Sequence, residues 1–384
     1  MSFRPGFPHF RIGNTLKPFI KPCIVLLVCL AVLGLWLSAG FLFAGGRRDS
    51  GPANAAEEPA LSADAPDAPE EPVLPAGPEQ EAPPQDQERV LFRMAALPDS
   101  LRPGEPVTVG LALPPADTGA EGSPRIHAVL INAQGRRLSR AAFFTLPDGP
   151  AGRTVLAAVL AVPTTVHPGA AFIRTDPPIK GMEDLPLIIT SRDFIFETIE
   201  LNEENTELRT ADEPQKILEA EHLWAILRRT GDTVYAGEAF EAPVRSTRRT
   251  SFFGDRRVYR YVNGATDAAI HAGIDYGVPQ GTAVHACAPG KVVLARPRVV
   301  TGNSVVVEHL PGLYSLYYHL DTIAAAEGEL VAKGALLGES GATGLATGPH
   351  LHWEIRAAGE NADPDTFIER AILDKTTILS KLFN

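Results

Sequence analysis

The chain has 384 residues and a formal net charge of −11, with 45 % hydrophobic and 21 % charged residues. That length exceeds one ordinary domain, and the composition is globular rather than disordered. The acidity excludes a general binder of nucleic-acid phosphates, and three cysteines exclude a disulfide-stapled scaffold.

The charge is localised. Eleven acids and no Lys or Arg lie between Asp49 and Glu88, so the remaining 35 acids balance the 35 bases. Ahead of this segment, residues 1–21 form a basic tail with Arg4, Arg11, Lys17 and Lys21, and no charge occurs from Pro22 to Gly46. The apolar run Cys23 to Ala44 has 22 residues, enough at 1.5 Å per residue to cross a hydrocarbon core of ~30 Å. A cleavable signal peptide has an apolar region of only ~7–15 residues. Ala53-Asn54-Ala55 resembles a cleavage site but lies beyond Arg47-Arg48. Residues 22–46 are therefore expected to be an uncleaved transmembrane signal anchor. Four basic residues before the span against two after it place the N-terminus in the cytoplasm and the rest of the chain on the periplasmic or wall side. Leu26-Leu27-Val28-Cys29 loosely resembles a lipid-attachment motif. The valine and the mid-span position favour apolar filler for Cys29, as for Cys23.

Residues 47–88 carry the eleven acids and nine prolines with few large apolar residues. Such a stretch buries too little surface to offset its ordering entropy and reads as an extended linker.

Residues 89–205 change to short β-rich runs. Examples are Pro106 to Leu113, Ile126 to Ile131, Ala141 to Leu146, Val155 to Val162, Phe172-Ile173, Leu185 to Thr190 and Phe194 to Ile199. Some seven strands separated by turn signals predict an antiparallel, immunoglobulin-like β-sandwich. No catalytic constellation occurs there, so the domain is expected to bind or position, with envelope proteins as partners. Residues 206–238 form a helical connector. Its helix is predicted over Asp212 to Arg229, with Asp212 as N-cap and a packed stripe of Ile217, Ala220, Leu223, Trp224 and Leu227.

Six of the ten histidines fall between His271 and His352. Two patterns stand out: His271-Ala-Gly-Ile-Asp275 and His350-Leu-His352-Trp-Glu354. On an extended strand His350, His352 and Glu354 share one face, and two histidines with a carboxylate suit zinc. Three protein ligands with a fourth position open make such a site hydrolytic rather than structural.

With their surroundings, these motifs resemble the lysostaphin-type (LytM-domain) zinc endopeptidases of peptidoglycan. The resemblance spans residues 240–370. It is carried by Ser251-Phe-Phe-Gly-Asp-Arg256, His271-Ala-Gly-Ile-Asp-Tyr-Gly277, the hairpin Gly281 to Val292, Gly302-Asn303, Tyr317-Tyr-His319-Leu320 and Gly341 to Arg356. It implies a small, curved antiparallel β-structure over residues 239–370, followed by a C-terminal tail, 371–384. It also implies one Zn²⁺ bound by His271, Asp275 and His352, with His319 and His350 flanking the fourth position. The chain has no His-Glu-x-x-His helix, so a neutral histidine, His319 or His350, is the expected base. The other imidazole would help stabilise the oxyanion. Glu354 is a candidate to orient a ligand from behind, a solvent-facing strand end being the alternative reading. Tyr259 and Tyr261 are candidates to approach the oxyanion. His285 and His222 read as surface residues, His309 as a hydrogen-bonding residue at a strand end, and His127 and His167 as surface or turn residues.

The expected function is a membrane-anchored zinc endopeptidase cutting peptidoglycan stem peptides or cross-bridges. The alternative is a non-catalytic relative that binds the wall or regulates a cell-wall amidase. Relatives of that kind lose metal ligands, whereas all five positions are filled here.

Overall fold

The computed structural model describes residues 92–113, 125–147, 153–229 and 231–383. The expected basic tail, signal anchor and acidic linker all lie outside the described residues. Among the described residues no helix is long and apolar enough to cross a membrane. The architecture is mainly β, with few helices.

The first part is built from two sheets. One has the order β1 (Arg93–Leu97), β3 (Pro106–Ala112), β7 (Val155–Ala161), β6 (Phe144–Thr145). The other runs β2 (Ser100–Leu101), β9 (Leu185–Ile189), β8 (Gly169–Asp176), β4 (His127–Asn132), β5 (Arg137–Ala142). Leu101, Val107, Val109, Leu130, Leu160 and Ile173 form a core common to both sheets. Among the described residues the strands number nine rather than some seven, and β2 runs parallel to β9 where an antiparallel sandwich was expected.

Every residue of β3 is buried, and all but one of β7. A strand covered on both faces reads as a continuous apolar run rather than an alternating one. Here Val107 and Val109 face the second sheet, while Ala157, Val159 and Ala161 join a core that continues through Ile355, Phe367 and Leu382. The expected C-terminal tail is part of this packing: it forms a helix, Lys375–Phe383, with Ile378 and Leu382 buried. Gly110 makes room for it, since a Cβ there would lie 2.6 Å from Ile378 Cγ2.

The second part is a ten-stranded sheet. Its main path is β11 (Arg249–Ser251), β14 (Ile274–Tyr276), β21 (Leu351–Ala357), β18 (Leu313–Ile323), β17 (Gly302–Leu310), β16 (Gly290–Arg298), β19 (Leu330–Val331). β15 (Ala283–His285), β20 (Leu336–Ser340) and β22 (Glu360–Ala362) attach at its margins.

The strand expected to close the sandwich forms as β10 (Phe196–Glu200) but leaves that domain. It pairs in parallel with β12 (Arg256–Arg260), which forms a hairpin with β13 (Thr266–Ile270). The hairpin turn uses Asn263-Gly264, with Gly264 at φ 82°, a backbone region open to glycine.

A helix not anticipated separately, Glu203–Thr210, follows β10. Asn202 caps it by accepting from Asn205 N. The predicted connector helix is shorter than expected, Pro214–Leu227, and the residue before it, Glu213, makes no side-chain capping bond where Asp212 was expected to cap. Its C-terminal part packs on the sheet: Ile226 and Leu227 are buried against Leu294, Val306, Leu316 and Tyr318 with Leu223 beside them, and Arg298 of β16 donates to the Glu219 carbonyl. Trp224 of the expected stripe is 38 % exposed.

Candidate metal and catalytic site

Asp275 on β14 lies directly opposite His352 on β21 in antiparallel register. His271 follows β13 and is tied to the preceding loop by His271 N donating to Asp255 O and Gly254 N donating to His271 O. The glycine of the His-x-Gly-x-Asp pattern is required by close approach. A Cβ on Gly273 would lie 2.1 Å from the Trp353 carbonyl oxygen.

Three atoms converge. His271 Nε2 lies 3.1 Å from Asp275 Oδ1 and 3.0 Å from His352 Nδ1, and His352 Nδ1 lies 2.7 Å from Asp275 Oδ1. All three residues are buried, and they form the one such group able to hold a metal among the described residues.

Each donor is oriented from behind. His271 Nδ1–H donates to the Phe252 carbonyl at 2.7 Å, which leaves the Nε2 lone pair facing inward. His352 Nε2–H donates to Glu354 Oε1 at 3.0 Å, which leaves Nδ1 inward, and Arg356 Nε holds Glu354 Oε2 at 2.8 Å. Arg257 Nη2 donates to Asp275 Oδ2 at 2.9 Å while its Nε is held by Glu197 Oε1 at 2.6 Å. Two imidazole lone pairs and a carboxylate oxygen facing one another at hydrogen-bond distance need a shared cation or proton. The donor set and its backing partners therefore fit zinc.

Protonation behaviour agrees with this. Burial would raise the Asp275 pKa, but hydrogen bonds from His271 and His352 outweigh it and hold the carboxylate well below its ordinary range. Burial lowers His271. It also opposes the His352 cation, yet Asp275 and Glu354 together raise that imidazole to about 9. Without metal, the His352–Asp275 pair holds a proton in the place a cation would take.

His319 reaches the site through a backbone irregularity. Between the pairs Val305–Tyr317 and Asn303–Leu320, β18 has two intervening residues where β17 has one. This is a β-bulge, and within it His319 has φ 60°. Tyr317 points into the core with Trp353, whereas Tyr318 is on the other face, stacked on His352 with 5.6 Å between ring centroids. Strict alternation would bury residue 319 with Tyr317. The bulge turns it instead toward His350, 4.8 Å away between ring centroids, and His352, 6.1 Å away.

The Nδ1 atoms of both flanking histidines donate to backbone carbonyls, His319 to Thr343 O and His350 to Gly348 O, each at 2.8 Å. Neither Nε2 has a hydrogen-bond partner among the described residues, and His350 Nε2 lies 3.9 Å from Asp275 Oδ1. Burial, with His350 and His352 nearby, pushes His319 down to about 3 and keeps it neutral near pH 7.

The site lies in a groove of about 680 Å³. One wall is the face of β10, β12 and β13 bearing Glu197, Ile199, Arg257 and Tyr259, and the Glu203–Thr210 helix adds Asn205 and Arg209. The structure thus brings all five predicted residues to one groove. Glu354 lies behind His352 rather than at a solvent-facing end. Tyr259 lies under the Arg209 guanidinium, and the Tyr261 hydroxyl is engaged by Arg209 and Asp267. His309 is hydrogen-bonded at the end of β17, as expected, and is fully buried. His285 is half-buried, while His222 is exposed as expected. The residues missed were Glu197, Arg257 and the carbonyls of Phe252 and Thr343. Arg257 adjoins the Ser251–Arg256 motif, which was the one available signal.

Residues 269–364 match the model of peptidase family M23. Over 95 residues the chain is 43 % identical to the DD-carboxypeptidase/endopeptidase Mpg of Neisseria meningitidis serogroup B, covering 25 % of this chain and 22 % of that protein. Over 112 residues it is 38 % identical to the peptidoglycan DD-endopeptidase ShyA of Vibrio cholerae, covering 29 % of this chain and 25 % of that protein. The chain thus spans about a quarter of the length of these curated relatives. A solved structure of a putative peptidase M23 from Pseudomonas aeruginosa is similar at 26 % identity and a TM-score of 0.48, covering 69 % of this chain and 93 % of that one.

Proposed function

We propose that this chain, which carries a domain of peptidase family M23, is a zinc-dependent endopeptidase that hydrolyses peptide bonds in peptidoglycan. One observation carries the reading: His271 Nε2, Asp275 Oδ1 and His352 Nδ1 converge beside two histidines whose Nδ1 atoms are held by backbone carbonyls and whose Nε2 atoms make no hydrogen bond among the described residues. The similarity to ShyA, a peptidoglycan DD-endopeptidase, supports the substrate class.

Zinc held by His271, Asp275 and His352 would supply Lewis-acid polarisation of the scissile carbonyl. The flanking histidines then handle the proton. With Nδ1–H fixed on a carbonyl, His319 or His350 accepts a proton at Nε2 from the attacking water, and the same Nε2–H is afterwards the donor to the leaving amine. In the neutral form neither imidazole presents an N–H to the groove at Nε2. Oxyanion stabilisation by the second histidine, expected from sequence, therefore requires its protonated form.

Residues 22–46 would anchor the chain in a membrane with the M23 domain on the extracytoplasmic side, and the acidic linker would carry it toward the wall. The sandwich, immunoglobulin-like in this reading, would position the domain against envelope partners. Digestion of isolated sacculi by the full chain tests the enzyme reading. Muropeptide release that stops with a chelator and returns with zinc is expected. Intact sacculi at full zinc loading would point to wall binding or amidase regulation instead.

A further inference from the structure

We propose that Arg248 is an anion subsite of the groove, selecting peptides that carry a free carboxylate close to the scissile bond. The proposal rests on the peptidase reading and adds to it the charge of the preferred substrate.

Three arginines line the groove: Arg209, Arg248 and Arg257. Two are neutralised within the protein. Arg257 is bonded to Glu197 and Asp275, and Arg209 Nη2 meets Asp267 Oδ2 at 2.6 Å while its guanidinium lies 4.1 Å from the Tyr259 ring centroid. Arg248 differs. Its Nη1 donates to the Gly277 carbonyl at 3.1 Å, and it has no carboxylate partner among the described residues. The groove's carboxylates cannot serve it, because Glu197, Asp275 and Glu354 are each held by an arginine. Among the described residues Arg248 is the arginine of the groove without a carboxylate partner.

It is also held in place. The Arg248 carbonyl accepts from Gly277 N at 3.1 Å, so its backbone and side chain both grip the same residue. The guanidinium lies so close over that backbone that a Cβ on residue 277 would sit 2.1 Å from Nη1. Glycine at 277 is therefore what allows the placement. A guanidinium fixed before binding loses little freedom when it meets a ligand, and its planar fork matches a carboxylate.

Position sets which carboxylate is read. Gly277 is two residues beyond Asp275 along one extended segment, roughly 7 Å at strand rise. An anion on Arg248 is then about two residues' length from the metal ligand Asp275. Either a terminal carboxylate or an acidic side chain adjoining the scissile bond meets that requirement, while an uncharged glycine bridge offers nothing to it.

Calorimetric binding of synthetic stem peptides to the zinc-loaded full chain tests this, in a His319→Ala/His350→Ala background that removes both candidate bases and so leaves the peptide intact. The peptides carry the carboxylate at the C-terminus, on a side chain, or converted to carboxamide. The Arg248 chain is expected to bind one of the acid forms roughly 10- to 100-fold more tightly than the amide. Arg248→Gln should bind acid and amide alike at unchanged zinc content and melting temperature, and Arg248→Lys should keep part of the preference. Equal binding of acid and amide by the Arg248 chain, no binding of either, or an undiminished preference in Arg248→Gln would overturn the subsite. A preserved acid preference in a protein that leaves sacculi intact would overturn the peptidase reading and leave the subsite standing.

Discussion

His309 on β17 and His352 on β21 are both buried histidines of the same ten-stranded sheet, 0 % and 8 % exposed. Their surroundings make them opposites. His309 Nδ1–H donates to Pro289 O at 2.7 Å, and its Nε2 lies 2.7 Å from Ser315 Oγ, which is 3.0 Å from the Tyr317 hydroxyl. That hydroxyl accepts from Cys287 N at 3.0 Å. Both nitrogens of His309 are satisfied by neutral partners, and burial lowers its pKa to about 4. His352 has one nitrogen on Glu354 and the other converging on a histidine nitrogen and a carboxylate. Burial alone therefore does not mark a functional histidine. What separates the two is whether the inward lone pair already has a partner that completes it.

The comparison is tested hardest at the two histidines whose Nε2 atoms make no hydrogen bond among the described residues. His319→Ala or His350→Ala, whichever is the base, is expected to lower muropeptide hydrolysis about 10²–10⁴-fold, the usual worth of a positioned acid–base group. Steady-state digestion of each variant reads this, and full activity in both would break the assignment.

Smaller effects follow for the groups behind the ligands. Arg257→Gln and Glu354→Gln should weaken zinc binding roughly 10- to 100-fold in a chelator competition, as loss of a ligand's outer partner does. Glu197→Gln should weaken it less, because Arg257 keeps its bond to Asp275. Unchanged affinity in all three would mean that the ligands are fixed by the strands alone.

His309 should affect stability rather than chemistry. Its folded pKa is depressed, so between pH ~6.5 and about 4 the unfolded chain binds the extra proton. Stability from neutral His309 is then complete above ~6.5 and declines as pH falls toward about 4, by on the order of 3 kcal/mol. Denaturant titrations across this range should show a shallower decline in His309→Gln, with zinc content unchanged. An identical pH slope in the variant would remove His309 from the account.

Cys287 gives the smallest effect. Buried, with its thiol pushed up to about 12, it should resist thiol reagents until the chain unfolds. Rapid labelling of the native chain would show that the region behind the sheet opens readily.

How far the sequence disclosed this depends on separation along the chain. His271-Ala-Gly-Ile-Asp275 and His350-Leu-His352 were legible because short spacing on strands fixes which side chains share a face. The continuous apolar runs at 106–112 and 155–161 marked strands, though not that the second covering layer would come from the catalytic part and the C-terminal helix. The β12–β13 hairpin was missed despite Asn263-Gly264, a direct turn signal. Glu197 had no local signal: it acts through Arg257, sixty residues away, only because β10 leaves the sandwich. The bulge at His319 was equally hidden, since a one-residue register shift leaves no mark in composition.

Zinc stoichiometry of the purified full chain and its variants tests the central claim most directly. One zinc per chain is expected in the unaltered protein and in His319→Ala and His309→Gln, and close to none in His352→Ala or Asp275→Ala. Loss of zinc from His319→Ala, or its retention in His352→Ala, would contradict the division between residues that hold the metal and residues that move the proton.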